Sequence, residues 1–365
     1  MATHSMTDAG TRRGPHPLAL SYLALFALLI VLAAGVSFFG NPHAGDPVVV
    51  MELRGTSPPR PVKPASPSSA PAGQASLPAA PPQSLPVDSP PQKITQQLYS
   101  GGALVADPAL VENTPVGPLP RIADDGTTPM RAYAPAAVSD GRPRIAIVIG
   151  GLGISARATE VALKGLPSGV TLAFAPYAAD AQHWVSQARK QGHEVLLEIP
   201  MEPYDFPDSD PGPHTLRSGV GEDANTERLV WALTRFSGYA GVTNLLGGRF
   251  LADASSMEPM LTYLARRGLM FYDNGAATHS AAPDVASRVG VPFAQSDATI
   301  DKIQTAMEID RRLSALETEA RAHGSAAGSG QIYPVTVERV RSWAQGLSGR
   351  GFVLAPASAI VSQSK

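Results

Sequence analysis

The sequence predicts an α/β protein: a deformed (β/α) barrel of about seven parallel strands, preceded by a transmembrane helix and a disordered linker. Three observations predict it. Arg144–Glu160 reads as strand, glycine turn and helix. From there to the C-terminus, strand-like and helix-like patterns alternate every roughly 25–40 residues, the mark of a parallel sheet. Seven or eight strand candidates in roughly 220 residues suit a barrel slightly smaller than the eight-fold one.

Residues 1–17 read as a cytoplasmic tail, with Arg12 and Arg13 ahead of the uncharged apolar run 18–39. A membrane-crossing helix needs about 20 such residues, and the positive flank places the N-terminus in the cytoplasm. A long signal peptide cut near Ala44 is the alternative. The expected location is therefore the inner membrane, single-pass, with the C-terminal domain in the periplasm. Residues 40–92 are rich in Pro, Ala and Ser and form an extended spacer. Residues 93–142 regain short apolar pieces and read as an arm packing on the barrel, which spans 143–362.

In the barrel region Ile145–Ile149 is a continuous apolar run, as in strands buried on both faces. Gly150, Gly151 and Gly153 break it, and Ser155 is placed to cap the helix that follows. Further strand candidates are 170–175, 194–199, 240–244, 269–272, 291–294 and 352–355, with a short one near 325–328. A helix begins near Glu222, with Leu229, Ala232, Leu233 and Phe236 on one face. Ile303, Met307, Leu313, Leu316 and Ala320 mark a long helix, and Val337, Val340, Trp343 and Leu347 mark the last.

Net charge is −2, which argues against nucleic acid, and there is no cysteine to form disulfides or thiolate metal sites. Gly151–Ala156 matches G-x-G-x-x-A, but the acidic residue that would hold a ribose is missing at the end of the second strand, so tight-turn glycines explain it better. None of His183, His193, His214, His279 and His323 forms a metal-binding pair, and His193 should begin a strand on the face away from the mouth. The polar residues at strand ends are more telling. Glu198, Glu202, Asn244, Arg249 and Asp273 should converge on the barrel mouth, where carboxylates and a guanidinium could hold a polar ligand. Capping and mutual pairing around the rim, including Arg249 with Asp273, is the plainer alternative.

The blocks RIAIVIGGLG, VTLAFAPYA, GHEVLLEIPMEP, DPGPHTL and GVTNLLGGRF, in this order, resemble the divergent polysaccharide deacetylases, the exported branch related to chitin-deacetylase-type carbohydrate esterases. The resemblance implies a role in envelope carbohydrate metabolism. Catalytic members of the wider superfamily hold a divalent metal with one Asp and two His, use a further Asp as base, and release acetate from N-acetylated sugars. Here the residues implied for that chemistry are replaced. The expected Asp-Asp is Gly150-Gly151, the expected histidine after Asn244 is Leu245, the late Gly-His-Pro reads Gly330-Gln331-Ile332, and a histidine common ahead of Pro-Met is Glu198. Asn244, Gly247, Arg249, Phe250 and Asp273 match. The expectation is a barrel without cofactor that binds an envelope glycan or envelope protein as a pseudoenzyme. An active carbohydrate deacetylase with zinc or another divalent metal on a rearranged site, held by Glu198 and Asp273, is the alternative.

Overall fold

The computed structural model describes residues 106–136 and 140–361. The transmembrane span expected at 18–39 and the linker at 40–92 lie outside the described residues. Among the described residues no helix is long and apolar enough to cross a membrane.

The first described segment carries a small antiparallel hairpin, β1 (Val111–Thr114) and β2 (Gly117–Pro120), and a short helix α1 (Pro129–Tyr133) capped by Thr128. The barrel then runs β3 (Arg144–Leu152), α2 (Ala156–Gly165), β4 (Thr171–Phe174), α3 (Ala181–Lys190), β5 (Val195–Met201), α4 (Glu222–Leu233), β6 (Gly241–Leu246), α5 (Gly248–Leu251) and α6 (Ala254–Arg266). It continues with β7 (Met270–Asp273), α7 (Ala282–Val289), β8 (Phe293–Gln295), β9 (Ala298–Thr299), α8 (Ala306–His323), β10 (Ser325–Gln331), α9 (Pro334–Gln345) and β11 (Val353–Leu354).

All pairings in the main sheet are parallel, in the order β8-β7-β6-β5-β4-β3-β10-β9. Its two ends are halves of one segment. The Ser296 N–H donates to Asp273 O on the β7 side, and the Asp297 N–H donates to Ala327 O on the β10 side. The sheet thus returns on itself as a barrel of seven staves. It is deformed where the β3–β4 register shifts between Ile149 and Leu152, the stretch holding Gly150 and Gly151.

Strand alternation divides the core into two. Ile145, Ile147 and Ile149 face the surrounding helices, packing with Leu172, Leu197 and Val242. Val148, Ala173, Leu196, Met270 and Tyr272 fill the lumen. On β5 the lumen face begins with Glu194, just ahead of the strand, and continues through Leu196 to Glu198, so a carboxyl stands at each end of the barrel. At the lower end the Glu194 carboxylate accepts from Thr171 Oγ1 and the Ser358 N–H, which ties the C-terminal turn Ala357–Ile360 across the opening. His193, ahead of β5, is buried there with Nδ1 2.9 Å from Val170 O.

Three sequence expectations are corrected. The segment near 325–328 is a full barrel strand, whereas 352–355 contributes only the two residues of β11, paired beside the start of β3. β10 lacks large side chains because a Cβ on Gly328 would come within 2.6 Å of Leu316. The long helix starts at Ala306, so its buried stripe is Ile309, Leu313, Leu316 and Ala320, and Ile303 and Met307 are exposed. Ser155 does cap α2, accepting from the Ala158 N–H. The hairpin region packs beside the C-terminal ends of α4 and α6, with Glu112 ion-paired to Arg267 and Gly117 against Thr234. Those helix ends lie beside the starts of the strands, away from the mouth.

Candidate functional site

The mouth is built at the C-terminal ends of the strands, where the glycine turn after β3 does two things. Gly153 adopts φ +89° and lies against Ala178, closer than any side chain there would allow. Gly150 leaves open the space that Glu198 takes. A Cβ on Gly150 would collide with Glu198 Oε1 and come within 3.2 Å of the Gln331 amide. The Gly151 N–H donates to Glu198 Oε1 at 3.0 Å. Four positions taken from the family pattern, Gly150, Gly151, Glu198 and Gln331, therefore meet at one point. Leu245 stands further along β6, in register with Pro200 and half-exposed.

Gly150, Glu198 and Gln331, with Val148, Ala173, Thr243, Asn274, Ser329 and Gly330, surround a cavity of about 10 Å³ at the top of the lumen. That holds about one water-sized sphere. Glu198 Oε2 and Thr243 Oγ1 are both buried at this level without a hydrogen-bond partner among the described residues. Burial pushes the Glu198 carboxyl up to about 8, against the Gly151 hydrogen bond, which lowers it. At neutral pH Glu198 is therefore mostly the uncharged acid.

This donor set does not fit a divalent metal. A metal asks for ionised carboxylates or neutral imidazoles converging on one point. Here a single carboxyl faces glycines and a neutral amide. Among the described residues no three His, Asp, Glu or Cys side chains come together as ligands.

The other expected site residues are not drawn into the same cavity. Asn244 is fully buried in a clasp with Asn274: its Nδ2 donates to Asn274 Oδ1 and Leu246 O, its Oδ1 accepts from the Asn274 N–H, and its carbonyl accepts from Asn274 Nδ2. Asp273 is buried at the end of β7, where Oδ1 accepts from the Gly275 N–H. Desolvation raises its pKa, against hydrogen bonds from Ser280 and Gly275 that lower it. Glu202 is buried at the rim, with Oε2 accepting from the Ser218 N–H at 2.7 Å. Arg249 pairs with Glu202, Nη1 to Oε1 at 3.6 Å, and not with Asp273. Its side chain is 57% exposed, so its guanidinium remains open to solvent at the mouth. Beside it Tyr204 lies across Gly248, with its ring largely exposed.

Two lumen residues escaped the sequence reading. Thr243 is in register with Glu198, and the Ser329 hydroxyl bonds Tyr272 Oη at 3.1 Å. The signal for Thr243 lay in strand periodicity, since it falls on the inward face of an otherwise apolar run. Larger clefts of about 370 and 600 Å³ lie outside the barrel between α4 and α6, and none of the five expected site residues lines them.

The fold and the mouth together define a parallel β/α-barrel protein with a glycine turn after its first barrel strand and a carboxyl sealed in the mouth. The chain belongs to the divergent polysaccharide deacetylase family, whose model matches residues 147–361. It is 38% identical to an uncharacterized protein of Agrobacterium tumefaciens C58 of known crystal structure, with a TM-score of 0.66, covering 67% of this chain and 100% of that one. It is 27% identical to the uncharacterized protein YibQ of Escherichia coli K12 over 53% of this chain, and spans 60% of that relative's length. An uncharacterized Haemophilus influenzae protein is 26% identical over 54% of this chain and 70% of its own.

Proposed function

We propose that this chain is a non-hydrolytic binding protein of the bacterial envelope, with the barrel mouth engaging an envelope glycan or an envelope protein. In this reading the apolar span at 18–39 holds it in the inner membrane, the linker gives reach, and the barrel stands in the periplasm. The observation that carries the proposal is the seating of Glu198. Its carboxyl fills the place against Gly150 and Gly151 where the superfamily chemistry would require a metal and its ligands, and the cavity left is about 10 Å³. A sugar N-acetyl group has no room there and no metal-activated water to meet.

Binding, by contrast, needs only the rim. Arg249 supports it, because a planar guanidinium open to solvent can hold a carboxylate or paired hydroxyls in two hydrogen bonds, and Tyr204 adds an exposed ring beside it. The test is to incubate the purified chain with N-acetylated oligosaccharides, with and without added zinc, and to measure in parallel its retention on isolated cell-wall glycan and envelope fractions. Retention without acetate release supports the reading. Acetate release that depends on Glu198 overturns it.

A further inference from the structure

The rim of the mouth has a second face, opposite Arg249, whose surface chemistry differs from the rest. β9, β10 and β3 are neighbours in the sheet, and their chains leave the barrel through three adjacent connections, each with the first residues of the helix that follows it, 153–157, 300–308 and 331–335. Each connection lifts apolar side chains into solvent: Ile154 is 64% exposed, Ile303 56%, Met307 82% and Tyr333 38%. The exposed charges in these connections are Arg157 and Lys302, and neither has an ion-pair partner among the described residues. Of the two carboxylates there, Asp301 is buried and turned inward, accepting from the Gln331 N–H and Thr336 Oγ1, and Glu308 is largely covered by its pairs with Arg311 and Arg312. Single exposed apolar residues are ordinary on a soluble protein, but four on three adjacent connections with unpaired cations and no exposed acid are not.

The geometry points to a membrane-docking face: we infer that this corner of the rim rests on an anionic lipid surface, with Ile154, Ile303, Met307 and Tyr333 entering the headgroup boundary and Arg157 and Lys302 meeting lipid phosphates. Shape and charge together select a lipid surface over a protein segment. Ile154, Ile303 and Met307, each more than half exposed, project from the surface, whereas residues lining a groove for a peptide would be largely covered. Projecting apolar tips flanked by cations are what interfacial binding uses. This surface lies across the mouth from Arg249 and does not depend on what Arg249 binds.

The chain has no cysteine, so a single thiol placed by substitution reports one position. Full-length Met307→Cys and Gly349→Cys, each carrying an environment-sensitive fluorophore, are reconstituted with vesicles of phosphatidylethanolamine and phosphatidylglycerol. Gly349 lies in the turn leading to β11, at the opposite end of the barrel, in open space. The expected result is quenching of the Met307 probe by lipids brominated near the headgroup, with the Gly349 probe unaffected. Replacing phosphatidylglycerol by phosphatidylcholine should abolish most of it. Each cation near an anionic surface is worth roughly a fivefold shift, so Arg157→Gln with Lys302→Gln should move the Met307 probe about 25-fold toward solvent. A Met307 probe left in solvent on anionic vesicles overturns the inference, as does equal quenching at both sites. Concentration-dependent shielding of the Met307 probe without vesicles would mark a contact between copies of the chain and overturn it too.

Discussion

The carboxyl of Glu198 on β5 occupies the space that a side chain on Gly150 of β3 would need. The two positions are therefore coupled. Gly150→Asp alone should force Glu198 off its seat and destabilise the barrel by about 1–3 kcal/mol, the usual cost of overpacking. Combined with Glu198→Ala, the same change should cost less than the sum of the two single variants, with a coupling of roughly 0.5–3 kcal/mol in a double-mutant cycle. Urea midpoints of the four proteins measure it, and additive values would show that the two side chains do not compete for one space.

The same carboxyl should give the barrel a pH signature. Its folded pKa is raised to about 8 from an ordinary value of 4.5, so the folded state binds a proton that the unfolded state releases first. Stability from this group is then fully present below about pH 4.5, falls as pH rises, and levels off above about pH 8, with a limiting slope of about 1.4 kcal/mol per pH unit for one proton. Burial also raises Glu194 and Asp273, which act in the same direction. Glu198→Gln keeps an acceptor for the Gly151 N–H and cannot ionise. It should flatten the decline by about one proton and be more stable than the parent at pH 8. Melting curves from pH 5 to pH 8.5 check this, and parallel declines in both proteins would place the ionisation elsewhere.

Much of the barrel was legible because parallel strands buried on both faces read as unbroken apolar runs, as in Ile145–Ile149. β10 was faint because close packing against Leu316 and Ile300 restricts it to small residues, which carry no hydrophobic signal. The misplaced stripe through Ile303 and Met307 arose because periodicity alone cannot say where a helix starts, and the Thr305 cap sets the start at Ala306. At the mouth, strand ends located the polar residues but not their partners. Whether Asn244 faces a ligand or Asn274, and whether Arg249 meets Asp273 or Glu202, depends on loop paths that spacing along the chain does not encode.

Zinc provides a third test. A ligand at 100 times its Kd adds about 2.7 kcal/mol to stability, enough to move a melting transition visibly. With glycines at 150 and 151, Leu245 and Gln331 at the family positions, and Glu198 the single carboxyl among them, added zinc should leave the melting temperature unchanged. Differential scanning calorimetry with and without the metal decides it, and a saturable rise abolished by Glu198→Gln would reveal a metal site.

Asn244 and Arg249 were expected to share a role, and the structure separates them. Asn244 is sealed in its clasp with Asn274. Asn244→Ala strands buried donors and acceptors at the ends of β6 and β7, and each stranded group costs roughly 1–3 kcal/mol. A total loss of about 2–4 kcal/mol in a urea unfolding curve is expected on that basis. A loss below about 1 kcal/mol would mean that water replaces the clasp freely.

Arg249 should behave in the opposite way. Its guanidinium is more than half exposed and touches Glu202 at 3.6 Å, a pair of the kind worth about 0–1 kcal/mol at a protein surface. Removing it does not leave Glu202 without a partner, because Oε2 still accepts from the Ser218 N–H. The backbone of position 249 is also held independently of the side chain, through its N–H to Glu202 O. Arg249→Ala should therefore melt within a few degrees of the parent. If the mouth binds through this guanidinium, the same variant loses retention on cell-wall glycan or envelope fractions, and Arg249→Lys recovers little of it, since an ammonium cannot form the two parallel hydrogen bonds of the planar fork. Full retention by Arg249→Ala at unchanged stability would remove the mouth from the binding role.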